Sequence, residues 1–339
     1  MRAVVVAGDG TVGVERAGVP EPGPGEVLVA MSVAGICGSD VHAVQGRHPF
    51  VPPPYRPGHE VTGTVAGGGP GTTTPAGSRV VVNPVLYCGH CKRCRLGQVN
   101  LCREMAVFGC GTPGGGMAEY FVVPERNVVI LPAGLTDLQA ALAEPLSTPV
   151  HAVRLAGPDL TGLTVVILGA GTIGLMTAQV ARRHGAAKIV MTNRSAAKRE
   201  RALRLGADAA FDPRDPQVIG NIRAELAGEH ADVVFDCVAV QDTMDQAIRL
   251  ALKGGTVVVV GVPAGPVSVP LPDLQDQQVR VQGSAVYLPE DYTEAIGLLA
   301  EGVVRPADFI TARYPLGEAG AAFGAAASGQ QIKVVLTAP

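Results

Sequence analysis

Three groups of residues in this chain have the types and spacing to do chemistry. Cys88, Cys91, Cys94 and Cys102 follow the pattern C-x-x-C-x-x-C, with a fourth cysteine after seven more residues. Thiolates so close in sequence can point inward from one loop, and four of them complete the tetrahedral shell that Zn²⁺ prefers. Packing or disulfide pairing is the weaker reading, because cysteines at this spacing make strained partners. A closed four-thiolate site holds a loop but leaves no open position for a reaction. The second group is Cys37, His59 and Glu60. They lie in Gly35-Ile36-Cys37-Gly38-Ser39-Asp40-Val41-His42 and Pro57-Gly58-His59-Glu60, two loops after predicted strands. Thiolate, imidazole and carboxylate are all competent zinc ligands, and three with one open position make a catalytic centre. Taken singly, each has an ordinary explanation: a buried cysteine, a core histidine, a surface glutamate.

The third group is Gly169-Ala170-Gly171-Thr172-Ile173-Gly174, which follows an apolar run and opens a helical pattern. In that context the glycines permit a tight turn and let a pyrophosphate approach a helix N-terminus. A glycine turn that only packs helix on strand is the plainer alternative. A carboxylate at the end of the next strand would bond the ribose 2′-hydroxyl of NAD. That place holds Asn193, followed by Arg194, Ser195, Lys198 and Arg199. An amide beside guanidinium groups suits a 2′-phosphate instead, so NADP is the expected cofactor, with NAD second.

These groups need elements to position them. From Met1 to about Ser147, short apolar runs (Val4–Val6, Val27–Val33, Val61–Val65, Val80–Val82, Tyr120–Val123) alternate with Gly- and Pro-rich turns. That punctuation predicts an all-β, barrel-like domain. Beyond Pro149, strands at Val165–Leu168, Lys188–Thr192, Asp232–Asp236, Thr256–Val260 and Val279–Ser284 alternate with helical stretches, including one to His184, Ser195–Leu205 and Gln241–Leu252. Such alternation implies right-handed crossovers and a doubly wound parallel sheet. A helix at Pro289–Glu301 and a strand at Ile332–Leu336 are expected to return to the first domain. The expected domains are therefore 1–148 with 287–339, and 149–286.

Composition narrows the function classes. With a formal charge of -3 and 17% charged residues, the chain has no bulk attraction to nucleic acid or anionic membrane. Lys92, Arg93, Arg95 and Arg103 supply local charge beside the cysteine cluster, but Tyr87 is its one neighbouring aromatic, which argues against a nucleic-acid-binding zinc ribbon. The uncharged stretch Leu160–Ala181 is long enough to span a bilayer, yet its glycines and threonines divide it into strand, turn and helix. The N-terminal apolar run is too short for a signal peptide. Clustered cysteines without an export signal point to a reducing cytoplasm.

With these motifs in place, the sequence resembles the zinc-dependent medium-chain alcohol dehydrogenases over essentially its full length. The matching pieces are Cys37–His42, Gly58-His59-Glu60, the four-cysteine lobe, Gly169–Gly174 and the tail Ile332-Lys333-Val334-Val335-Leu336. Glu144-Pro145-Leu146-Ser147 and Val150-His151-Ala152-Val153 are similar to the polyol, butanediol and threonine dehydrogenase branch. The resemblance implies a GroES-like β domain joined to a Rossmann domain, with the active site in the cleft between them, and two Zn²⁺ per chain. It assigns a catalytic zinc to Cys37, His59 and either Glu60 or Glu144, since Glu144 stands where the cysteine-ligated branch has another cysteine. It also implies that Ser39 takes the substrate proton, that His42 ends the relay, and that Asp40 orients the zinc-bound histidine.

The implied reaction is oxidation of a secondary alcohol, polyol, cyclitol or amino alcohol to a ketone, with hydride passing to NAD(P). The alternatives are an NADPH-dependent carbonyl reductase and a non-catalytic NADP-binding sensor on the same scaffold. Phe50 and Tyr287 are pocket or core candidates, and Cys110 and Cys237 are expected as buried thiols. A homodimer or homotetramer is expected by analogy.

Overall fold

Alternating burial along Glu26–Ile36 makes this 11-residue strand the spine of the first unit, since every second side chain enters the core. The structure, a computed structural model, describes residues 1–338, and Pro339, at the end of the expected first domain, lies outside the described residues. The chain divides into two units, one of Met1–Pro145 together with the chain from Leu288 on, the other of Leu146–Tyr287.

In the first unit, a seven-stranded sheet is built on that spine. Its order is Ile310–Pro315, Lys333–Thr337, Glu26–Ile36, Glu60–Gly68, Arg79–Val82 and Val128–Ile130, while Tyr120–Pro124 pairs with the spine's first half. The C-terminal strand is antiparallel to the spine, with Val334 opposite Ile36, and Glu60–Gly68 flanks the other side, with Glu60 opposite Gly35. Valines 27, 29, 61, 65, 80 and 82, with Phe108, Phe121, Phe323 and Leu336, form its core. The spine ends at Ile36, and the helix Gly38–Val44 begins with Cys37 at its N-cap.

In the second unit, six parallel strands run in the order Ala209–Phe211, Lys188–Thr192, Thr164–Leu168, Ala231–Asp236, Ala251–Val259 and Arg280–Gly283. Thr164–Leu168 is buried on both faces except at its first residue, as a central parallel strand must be. The order reverses between Thr164–Leu168 and Ala231–Asp236, so the loops after these two strands flank a switch point, where ligands bind in such sheets. One local expectation needs correction, and one strand was not anticipated. The helix predicted to Leu252 stops at Leu250, and the strand starts at Ala251 with a register shift; Gly254, at φ 78°, belongs to the strand entry and not to a helix. Ala209–Phe211, only three residues long and two of them alanine, carries no strand signal in the sequence yet forms the edge of the sheet. No helix among the described residues is long and apolar enough to cross a membrane, and Leu160–Ala181 resolves into the strand Thr164–Leu168 and the helix Thr172–Arg183.

Candidate metal centres and dinucleotide site

The four-cysteine lobe brings its sulfurs to near-tetrahedral spacing. Sγ–Sγ separations are 4.0 Å for Cys88–Cys94, 3.6 Å for Cys91–Cys94, 3.9 Å for Cys91–Cys102 and 3.5 Å for Cys88–Cys102. Zinc–sulfur bonds of about 2.3 Å at tetrahedral angles require an edge of about 3.8 Å, so the donor set fits Zn²⁺. All seven cysteines are free thiols, and these separations are far beyond a disulfide bond. Backbone N–H groups of Cys88 and Glu104 donate to the Cys102 sulfur, and that of Cys91 to the Cys88 sulfur, at 3.3–3.4 Å. Such donors favour thiolate: backbone hydrogen bonds hold Cys91 down to about 6, while burial holds Cys94 up at about 12. Four thiolates this close repel one another unless a cation lies among them.

Cys37, His59 and Glu60 also meet: one ligand atom from each lies within 4.8 Å of the other two. The fold explains the meeting, since Cys37 follows the end of the spine and His59-Glu60 enters the adjacent strand. Ser39, in the first turn of the helix, places Oγ 3.5 Å from His59 Nε2. Asp40 is fully buried and accepts the Cys37 N–H at 3.0 Å and the Tyr55 hydroxyl at 3.2 Å. Its Oδ1 stands 3.9 Å from His59 Nδ1, an ion-pair distance too long for a hydrogen bond, and His59 Nδ1 finds no closer partner. Burial alone would lower His59, but the Asp40 carboxylate, then Cys37 and Glu144, lift it well above the ordinary imidazole range. Burial raises Asp40, with His59 opposing. His42 is exposed on the same helix and is lowered, chiefly by desolvation and then by Arg47.

Glu60 is held by Lys333, from the tail Ile332–Leu336 that carries part of the family resemblance. Lys333 Nζ donates to Glu60 Oε1 at 2.6 Å and Oε2 at 2.7 Å, and to the Ile36 carbonyl at 3.2 Å, all in the interior. The carboxylate reaches across the spine because Gly35 lies beneath it: a Cβ there would sit 2.0 Å from Glu60 Oε2. A lysine within Ile332-Lys333-Val334-Val335-Leu336 was the available signal, since a lysine in a buried strand demands an anion. Glu144 is buried at the start of the helix Ala143–Ala156 and contributes to the shifts of His59, Lys333 and Cys110. Acidic groups at Cys37, Asp40, Glu60 and Glu144 thus surround one imidazole and one ammonium, a balance that suits a divalent cation. Cys110 is pushed up to about 11 and Cys237 to about 12, both chiefly by desolvation, although each is only partly buried and not the fully buried thiol expected. Phe50 is 80% exposed against His48, whereas Tyr287 is buried.

The glycine loop lies at the switch point. Gly169 adopts φ +103°, and a Cβ there would meet Val238 of the loop after Ala231–Asp236 at 2.7 Å. Asp236 anchors that facing loop by accepting the N–H groups of Val238 and Ala239 and the Thr243 hydroxyl. A Cβ at Gly174 would fall 1.9 Å from the Gly169 carbonyl oxygen, so helix and turn pack only with glycine there. At Gly171, the N-cap of Thr172–Arg183, a Cβ would meet no protein atom within 4 Å, which fits close approach of a phosphate to this helix N-terminus. Gly174→Ala is expected to weaken NAD(P)H binding about tenfold or more in a fluorescence titration, because overpacking of about 1–3 kcal/mol must be relieved by moving the turn. An unchanged Kd would show that the turn does not contact the dinucleotide.

After Lys188–Thr192, Asn193 Oδ1 accepts the Ser195 N–H at 3.0 Å, and Arg194 and Ser195 are exposed. Arg199 is turned inward, with Nη1 on the carbonyls of Asn193 and Arg194 and on Asp212 Oδ2. Its guanidinium therefore braces the turn as well as adding charge.

The chain as a whole is similar to known proteins. The alcohol dehydrogenase GroES-like domain model matches residues 23–133, and the zinc-binding dehydrogenase model matches residues 172–301. L-galactonate-5-dehydrogenase of Escherichia coli is 36% identical over 88% of this chain and 86% of its own length. Sorbitol dehydrogenase of Ovis aries is 35% identical over 98% of this chain and 95% of its own. A zinc-binding dehydrogenase from Sinorhizobium meliloti, solved bound to NADP, superposes with a TM-score of 0.92 at 36% identity, covering 99% of this chain and 98% of that one.

Proposed function

We infer the reaction from one premise: this chain belongs to the family of zinc-dependent medium-chain alcohol dehydrogenases. It is an oxidoreductase that oxidises a hydroxyl with NAD(P). The substrate class we propose is a polyol or sugar acid with a secondary hydroxyl, or a related cyclitol or amino alcohol, converted to the ketone. The names of the relatives, a sorbitol and a galactonate dehydrogenase, support that class. The carrying observation is the meeting of Cys37, His59 and Glu60 with the Ser39 hydroxyl beside the histidine ring.

Two zinc ions per chain are proposed, one at Cys88, Cys91, Cys94 and Cys102, the other at Cys37, His59 and either Glu60 or Glu144. When bound, the second zinc supplies a Lewis acid that makes a nearby hydroxyl more acidic, and NADP supplies the hydride acceptor. Asp40, held by the Cys37 N–H and the Tyr55 hydroxyl, stands 3.9 Å from His59 Nδ1 and acts on the ring through its charge. Ser39 Oγ takes the proton of the substrate hydroxyl as it passes its own hydroxyl proton on along the relay to His42, which is exposed one turn further along the helix and releases a proton to water. Each turnover converts one alcohol and one NADP⁺ to one ketone, one NADPH and one released proton.

NADP preference is supported by Asn193 in the acid's place and by the exposed Arg194 guanidinium. The NADP of the Sinorhizobium meliloti structure agrees with it. Arg194→Ala is expected to lower the ratio of NADP to NAD efficiency about 10- to 100-fold, the worth of a charge-assisted hydrogen bond. An unchanged ratio would refute the preference. A cytoplasmic location is proposed from the free, clustered thiols. A homodimer or homotetramer is proposed from the open edge of Arg280–Gly283, which carries exposed Val281. The activity is tested with the zinc-loaded chain on a panel of polyols, sugar acids, cyclitols and amino alcohols, each with NAD and NADP. Turnover with a member of the panel is expected; none across it would favour a non-catalytic dinucleotide-binding protein.

A further inference from the structure

We propose that Arg214 is a specificity-determining residue, a second guanidinium for the 2′-phosphate of NADP(H), and that Asp212 aims it; this rests on the NADP reading above. The register brings the two segments together. Thr192 is opposite Phe211, and the Asn193 N–H bonds the Phe211 carbonyl at 3.0 Å, so Asp212 and Arg214 emerge beside the Asn193–Ser195 turn. Asp212 is spent on arginines: Oδ1 accepts the Arg214 backbone N–H and Nε at 3.0 Å each, and Oδ2 accepts Arg214 Nη2 at 2.7 Å and Arg199 Nη1 at 3.2 Å. With both oxygens engaged, this carboxylate is a poor acceptor for a ribose 2′-hydroxyl, although it stands one strand from where an NAD-binding acid belongs. Arg214 Nη2 also donates to the Arg194 carbonyl at 3.1 Å, which clips the guanidinium to the backbone of the turn itself.

Donor counting shows what remains. A guanidinium has five N–H groups. In Arg214, Nε and Nη2 are used, and the two N–H groups of Nη1 bond no protein atom among the described residues, on a side chain 67% exposed. The guanidinium groups of Arg199 and Arg214 share the single carboxylate of Asp212, which leaves this ion cluster with one positive charge in excess. A purely structural surface ion pair would contribute little to stability and nothing to cofactor choice. An arginine already immobilised by a carboxylate and a carbonyl loses little side-chain freedom when a phosphate arrives.

The test titrates the zinc-loaded full chain with 2′,5′-ADP and with 5′-AMP by calorimetry, so that no turnover is needed. Arg214→Ala is expected to weaken 2′,5′-ADP about tenfold while changing 5′-AMP less than about twofold. Asp212→Asn decides whether aiming matters: removal of a negative charge alone would tighten 2′,5′-ADP, whereas loss of aim weakens it about threefold or more. Equal affinity of the unaltered protein for the two ligands would overturn the NADP reading. A clear preference for 2′,5′-ADP that Arg194→Ala abolishes and Arg214→Ala leaves intact would overturn this inference alone. Tighter 2′,5′-ADP binding by Asp212→Asn would remove Asp212's part.

Discussion

Cys37→Ser protein is expected to fold, to keep the zinc of the four-cysteine lobe, and to lose alcohol oxidation by about a thousandfold or more in kcat/KM. That factor corresponds to about 4 kcal/mol, in line with the several kcal/mol that a Lewis acid contributes to such a barrier. A serine hydroxyl stays protonated at neutral pH and is not among the groups that hold zinc. The exchange leaves the local backbone intact, because the link from residue 37 to Asp40 runs through the main-chain N–H. The lobe from Cys88 to Cys102 draws its four sulfurs from a separate stretch and should bind metal as before. Atomic absorption should therefore give one zinc per chain instead of two, with an unchanged circular dichroism spectrum. Full activity, or undiminished zinc content, would refute the assignment of Cys37.

Lys333→Met should be the most destabilising single change near the site. The methionine fills most of the lysine's volume but leaves Glu60, wholly buried, without its cation and with both oxygens stripped of their donor. Breaking a buried pair from one side costs about 3–5 kcal/mol, which should lower the melting temperature of the metal-free protein by about 4–7 °C. The double variant Lys333→Met with Glu60→Gln should recover more than half of that loss, because the stranded charge is gone. If the double variant is no more stable than the single one, the pair is not the source of the effect. The pH dependence has a definite sign. Burial would lower Lys333, but Glu60 and then Cys37 raise it above the ordinary 10.5. A raised pKa stabilises the fold below the unfolded value and is lost only as pH climbs through the folded one. The contribution of Lys333 should thus be constant through neutral pH and decline in strong alkali.

Much of this protein is determined locally, and that part could be read from the chain alone. Short-range spacing obliges Cys88, Cys91, Cys94 and Cys102 to converge, since a loop of that length can hardly keep four thiols apart. The Gly169–Gly174 turn is likewise a local object: strand, tight turn and helix follow one another in sequence, and the glycines are needed by contacts within the turn and with its neighbour. The strand Lys188–Thr192 was legible to the residue for the same reason, because burial on both faces leaves an uninterrupted apolar run. What only the tertiary structure decided is pairing across the sheets. Lys333 meets Glu60 over Gly35 because three strands distant in sequence lie side by side, and a lone lysine in an apolar run says that it needs an anion without saying which. Asp212 and Arg214 reach the Arg194 turn through a three-residue strand too short and too alanine-rich to announce itself. Periodicity reports how a segment meets its own neighbours; hydrogen-bond register between segments is settled by the packing of the whole sheet, and that is where the charges around both sites found their partners.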